Sequence, residues 1–158
     1  MDILFSRTYK YTIEKPIINV QQEFSQVTNK KWSDFSSNIT GKLNEDNTFK
    51  FTHKWTFGYI RGPFGHDFAT IKGIISESGQ NTVIEATVKP NLGLVFFLYF
   101  ITGLFLCEIL GIKTILNGPK TYILLFLPFF GLLLFGLIHF MTNGLRNTFE
   151  KCFHLKAD

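Results

Sequence analysis

Two long apolar runs constrain this chain more than any other feature in it. The first, LGLVFFLYFITGLFLCEILGI, covers 92–112, and the second, YILLFLPFFGLLLFGLIHFM, covers 122–141. As a helix rising about 1.5 Å per residue, the 21 residues of the first run reach about 31 Å, close to the roughly 30 Å hydrocarbon core of a bilayer. Between the runs, KTILNGPKT places Asn117, Gly118 and Pro119 together, a combination that stops a helix. The pattern predicts a transmembrane hairpin, 92–112 and 122–141.

Charge is distributed to match. Residues 1–91 carry 20 of the 28 charged side chains, 11 Lys/Arg and 9 Asp/Glu, whereas 92–141 holds only Glu108, Lys113 and Lys120. An amphipathic globular element mixes the two classes along its length, while a bilayer separates them. Burying both runs as soluble core helices would require a shell that a 91-residue domain is too small to provide.

Orientation follows from basic residues near the ends of the spans. The connecting turn offers Lys113 and Lys120; the opposite side offers Lys72, Lys89, Arg146, Lys151 and Lys156. Five against two predicts a multi-pass protein of the cytoplasmic (inner) membrane with both termini in the cytoplasm. The opening MDILFSRTYKY has no basic stretch followed by an apolar core of signal-peptide length, so insertion is expected to begin at residue 92. Cys107 and Cys152 form neither a disulfide framework nor a CxxC zinc pattern.

Within the spans, Glu108 is the acidic residue. Ionised at the bilayer centre it would cost roughly 2.5–3.5 kcal/mol, but its place near the helix end lets it snorkel, protonate or pair with Lys120. Pro128 interrupts one backbone hydrogen bond of the second helix. Gly103, Gly131 and Gly136 allow close approach without forming GxxxG, and His139 falls at the rim. The tail after 141 has Leu145, Phe149, Cys152 and Phe153 at helical spacing, which predicts a short helix extending the second span or lying on the interface.

Residues 1–91 read as a separate α+β domain. Ile3, Phe5, Tyr9, Tyr11 and Ile13 share one parity, the mark of a strand. Ile17, Val20, Phe24 and Val27 then recur at three- and four-residue spacing behind Pro16, one face of an amphipathic helix. Alternation returns through Phe35–Leu43, Phe49–Phe57, Ala69–Ile75 and Ile84–Val88, with turns at NEDN and SESGQN. The expectation is an antiparallel sheet of about five strands whose apolar face the helix covers.

The opposite face carries the functional signal. With continuous registers, Lys10, Lys42, Lys50, Lys54, Lys72 and Lys89 all point away from the helix, opposed there by Glu85. Such a face suits an anionic lipid surface or a protein partner, although lysines also keep exposed sheets from aggregating. Nucleic acid is not expected, since the domain is only slightly basic and has no recognised binding motif.

Catalytic signals are absent. His53, His66 and Asp67 are the best residues for a metal or acid–base site, yet nothing in their spacing forces them together. The glycine-rich stretch 58–67 is neither GxGxxG nor a Walker loop, and no GxSxG elbow or Ser-x-x-Lys pair occurs. No cofactor or metal is implied.

The stretches ITGKLNEDNTFKFTHKW and GPFGHDFATIKGIISESGQNTVIEATVKPN, together with the two apolar runs and the Phe/Leu tail, carry a resemblance across roughly 39–155. The chain resembles a group of small, functionally uncharacterised bacterial membrane proteins with a cytoplasmic β-rich domain and two helices. The resemblance implies the same architecture and transfers no activity or site residue. The expected function is a non-enzymatic, membrane-anchored binding module. The alternatives are an immunity-type protein that neutralises a toxin and an accessory subunit of a membrane transporter.

Overall fold

The computed structural model describes residues 5–29, 34, 37–56, 59–60, 67–112 and 120–156. Strand β1 (Arg7–Ile13) and helix α1 (Ile17–Thr28) are followed by β2 (Thr40–Leu43) and β3 (Thr48–Thr52). A two-residue ribbon, β4 (Trp55–Thr56) with β5 (Tyr59–Ile60), precedes the long hairpin β6 (Ala69–Ser78) and β7 (Asn81–Pro90). Helices α2 (Leu92–Ile109) and α3 (Lys120–Cys152) complete the chain. The fold is α+β, as the sequence predicts. One antiparallel sheet of five strands has the order β1-β7-β6-β3-β2, so the first strand lies beside the last.

Alternation decides which face is buried. Tyr11, Phe49, Phe51, Ile71, Ile75, Ile84, Ala86 and Val88 face the core, where α1 contributes Val20, Phe24 and Val27. Two glycines on that face make room for rings across the strand. A methyl on Gly73 would collide with the Glu85 carbonyl and the Phe49 ring, and one on Gly41 with the Lys50 carbonyl and the Phe51 ring. Each ring thus covers backbone that a side chain would otherwise occupy.

The helix expected in the tail is the last part of α3 itself. Leu145, Phe149, Phe153 and Leu155 belong to the sheet's core cluster. Phe149 is fully buried among Tyr11, Phe24, Phe49, Phe51 and Phe153, with ring centroids 5.0–6.3 Å away. Phe153 stacks on Phe24 at 4.1 Å. One helix therefore serves two layers: its first half pairs with α2, and its end closes the sheet beside α1.

Helix α2 stops three residues before the apolar run does, and Gly111 is the reason. Its φ of +71° is left-handed, where a Cβ is strained. Ile112 N donates to Cys107 O at 2.9 Å and Gly111 N to Glu108 O at 3.2 Å, the two bonds of a Schellman cap. At the other end Asn91 Oδ1 accepts from Gly93 N at 2.7 Å, a side-chain N-cap. The 18 capped residues span about 27 Å. Helix α3 passes through Pro128 without interruption, and its 33 residues reach about 50 Å.

Both helices are long and apolar enough to cross a membrane, yet only 11% of the α2 span and 17% of the α3 span are buried within the protein. Phe96, Leu125, Leu132 and Phe140 each expose about two thirds or more of their surface. A helix of a soluble core would be covered. Water does not favour an exposed apolar surface of this extent.

Candidate functional site

The sheet face turned away from α1 and α3 is built by the registers of four strand pairs. Lys42 lies opposite Lys50, Lys50 opposite Lys72, and Lys72 opposite Thr87. Three lysines on three neighbouring strands therefore form one cross-strand row, and all three are exposed. Strands sit about 4.8 Å apart, a separation at which two unit charges in water repel by roughly 0.9 kcal/mol. Like charges directly opposite one another destabilise a sheet. The registers place no acid within this row.

The flanks differ. Lys10 lies opposite Glu85, so its charge has a neighbour of opposite sign. Lys89, exposed, lies opposite Thr70, two residues before Asn91. The threonines Thr40, Thr52 and Thr70 form the row on the α2 side of the lysines. Acidic residues gather at the opposite end of the sheet: Glu14 after β1, Glu45 and Asp46 in the β2–β3 turn, and Glu77 near the β6–β7 turn.

Lys54 does not belong to this face. It is 3% exposed, and its Nζ donates to the Asp34 carbonyl at 2.8 Å. The parity argument fails here because β3 ends at Thr52 and the chain bends at Lys54 before β4, so alternation is not carried past the bend. The remaining five, Lys10, Lys42, Lys50, Lys72 and Lys89, are exposed as expected.

Helix α3 fixes how the face is presented. Phe5 meets Phe135 with ring centroids 5.6 Å apart, the Arg146 guanidinium lies 4.2 Å over the Tyr9 ring, and Tyr11 Oη donates to Glu150 Oε1 at 2.9 Å. From Phe5 to Tyr11 the chain advances about 20 Å as strand, and from Phe135 to Glu150 about 22 Å as helix. The two advance in step, so α3 runs in the same direction as β1 while lying over β6 and β7. The strands consequently continue the direction of the α2–α3 hairpin, and the lysine face looks sideways from that axis.

This seam was hidden in the sequence. Arg146 Nε donates to Glu150 Oε1 at 2.8 Å, and the same oxygen accepts from Tyr11, so one carboxylate ties β1 to α3. Burial and then the adjoining Glu150 carboxylate hold the Tyr11 hydroxyl in its neutral form, with a pKa well above the usual phenol value. The parity of Tyr9 and Tyr11 is visible from sequence, whereas a partner 139 residues away is not.

The residues weighed for metal or acid–base chemistry do not assemble. His53 Nδ1 sits 3.2 Å from the Asn38 carbonyl, and Nε2 is buried near Gly144 of α3 with no close hydrogen-bond partner among the described residues. Burial pushes its pKa below the ordinary imidazole value, against smaller upward pulls from the Asn38 and Met141 carbonyls. His66 lies outside the described residues, and Asp67 accepts from Asn91 Nδ2 through its backbone carbonyl. No group of three His, Cys, Asp or Glu that could hold a metal occurs among the described residues. Glu108 is half-buried in the last turn of α2, and its expected pairing with the Lys120 side chain lies outside what is described.

These features define a class by architecture: an α+β sheet continuous with a pair of uncovered apolar helices. Comparison with protein-family models, curated proteins and solved structures finds no match. The functional reading therefore rests on the geometry.

Proposed function

We propose that the chain is a non-enzymatic, membrane-anchored interaction module that offers the Lys42–Lys50–Lys72 row to an acidic protein surface beside it. The observation that carries the reading is the row itself, three exposed lysines in cross-strand register. An acidic counter-surface relieves their mutual repulsion and gains from all three at once.

With α2 and α3 in a bilayer, and the five-against-two bias in flanking basic residues setting both termini in the cytoplasm, the sheet stands upright from the inner membrane. Lys72 pairs with Thr87, four residues before Asn91, which places the lysine row about 13 Å beyond the start of α2. A headgroup layer extends only about 5–7 Å past the hydrocarbon. The row thus clears the lipid and faces sideways, which favours a protein neighbour over a flat lipid contact. Lys89, about 7 Å from the same point, lies at headgroup depth.

The test is capture of partners by the intact protein from native membranes, comparing wild type with the Lys50→Glu/Lys72→Glu double variant. Both side chains are exposed, so the fold tolerates the change. The expected result is a partner lost on charge reversal and released from the wild type by raised salt. Undiminished capture of the same partner by the double variant sinks the reading.

A further inference from the structure

We infer that Phe5 is a shallow membrane anchor at the lipid–water boundary, holding the β1 edge of the sheet to the bilayer beside helix α3. The inference goes beyond the proposed partner surface and shares with it only the placement of α2 and α3 in a bilayer.

The position of Phe5 is fixed by two independent counts. Phe5 lies two residues before Arg7, the first residue of β1, which pairs with Val88 three residues before the Asn91 cap of α2. Along α3, Phe5 packs edge-on against Phe135. In the hairpin, Ile101 lies beside Gly131, and Phe97 packs on Phe130. Antiparallel helices matched at those points bring Phe135 level with the first turns of α2. Both counts place Phe5 near the beginning of the first span, within its first two turns.

The surroundings match that boundary. Phe135 is 48% exposed and belongs to the uncovered apolar surface that includes Leu132 and Phe140. Phe5 is half-buried and is not part of the core cluster that holds the sheet together. Two residues further from the span, Arg7 is exposed, and Lys89 is exposed on the neighbouring strand. An aromatic ring at the edge of the hydrocarbon with cations just outside it is the arrangement that interfacial anchors adopt.

The experiment uses full-length protein in phosphatidylcholine–phosphatidylglycerol vesicles, with Cys107→Ser and Cys152→Ser and one new cysteine carrying an environment-sensitive fluorophore. The sites are Phe5→Cys, Phe129→Cys as the mid-span reference, and Ser78→Cys at the far turn of the sheet. For Phe5→Cys the expected emission is blue-shifted relative to Ser78→Cys and quenched more by lipids labelled near the headgroup than by lipids labelled deep in the chain. Phe129→Cys should show the reverse order of quenching. A water-like Phe5→Cys signal beside a lipid-like Phe129→Cys signal overturns the anchor alone. Water-like signals at both sites overturn the anchor and the membrane placement together. Oxidative cross-linking of a Phe5→Cys/Phe135→Cys pair verifies that the substituted proteins keep the fold.

Discussion

Truncating Phe149 tests whether the sheet is completed by helix α3. The ring is fully buried and touched by rings from β1, α1 and β3 and by Phe153 just after α3, so no single neighbour can collapse into the space it leaves. Phe149→Ala forfeits about 2 kcal/mol of apolar transfer. It also opens a cavity of roughly 100 Å³ that costs about 2 kcal/mol more at 24 cal/mol per Å³. The expected loss of about 4 kcal/mol lowers the folding equilibrium close to a thousandfold, against a typical total of about 5–15 kcal/mol. Urea titration of detergent-solubilised protein, read by pulse proteolysis of the sheet, measures it. Phe140→Ala on the same helix is the control; that side chain is 66% exposed and its removal should move the sheet's midpoint by less than about 0.5 kcal/mol. A Phe149→Ala loss below about 1 kcal/mol would show that the sheet folds without α3 and refute the two-layer account.

Three further outcomes follow from the same contacts. Gly73→Ala forces a methyl against the Glu85 carbonyl and the Phe49 ring and should cost about 3 kcal/mol in the same titration, whereas Gly79→Ala meets no neighbour and pays only for its left-handed backbone. Gly111→Ala should fray the end of α2 through its φ of +71°, at about 1 kcal/mol, seen as faster amide exchange at Gly111 and Ile112. His53 has its pKa lowered by burial, so the unfolded chain binds the proton more readily. Its stability contribution is complete above about pH 6.5 and declines as the pH falls from there toward the lowered value. His53→Gln should flatten that part of the pH–stability curve, and an unchanged slope would contradict the burial.

What the sequence disclosed and what it withheld divide along physical lines. The apolar runs were visible because bilayer-length hydrophobicity is a local property, and the strands of the sheet because alternation is local too. The exposed lysines followed from parity at Lys10, Lys42, Lys50, Lys72 and Lys89, each inside a strand or its last residues. Lys54 did not, since parity carries no meaning across the bend that follows Thr52. The spacing of Leu145, Phe149 and Phe153 announced an amphipathic helix without saying which apolar surface would receive it. Lipid and sheet core satisfy that pattern equally well, and the choice depends on contacts more than a hundred residues apart, such as Phe24 with Phe153. The alignment of the three lysines in one row required the actual registers, because a shift of two residues preserves the face and destroys the row.

The dual service of α3 also sets an order of assembly. About sixty residues separate Pro90 from Phe153, so a ribosome working at roughly 5–20 residues per second takes about 3–12 s to pass from the last strand to the rings that close it. Through that interval the face bearing Phe49 and Phe51 has α1 as its only cover among the core elements already made. With α2 and α3 in a bilayer, as proposed, the intervening chain must first emplace two apolar helices, and only a correctly threaded hairpin returns Phe149 to the side where the sheet waits. A hairpin inserted the wrong way round, or abandoned halfway, leaves the sheet unfinished and open to proteolysis. Under the proposed membrane placement, completion of the sheet is thereby a readout of successful insertion.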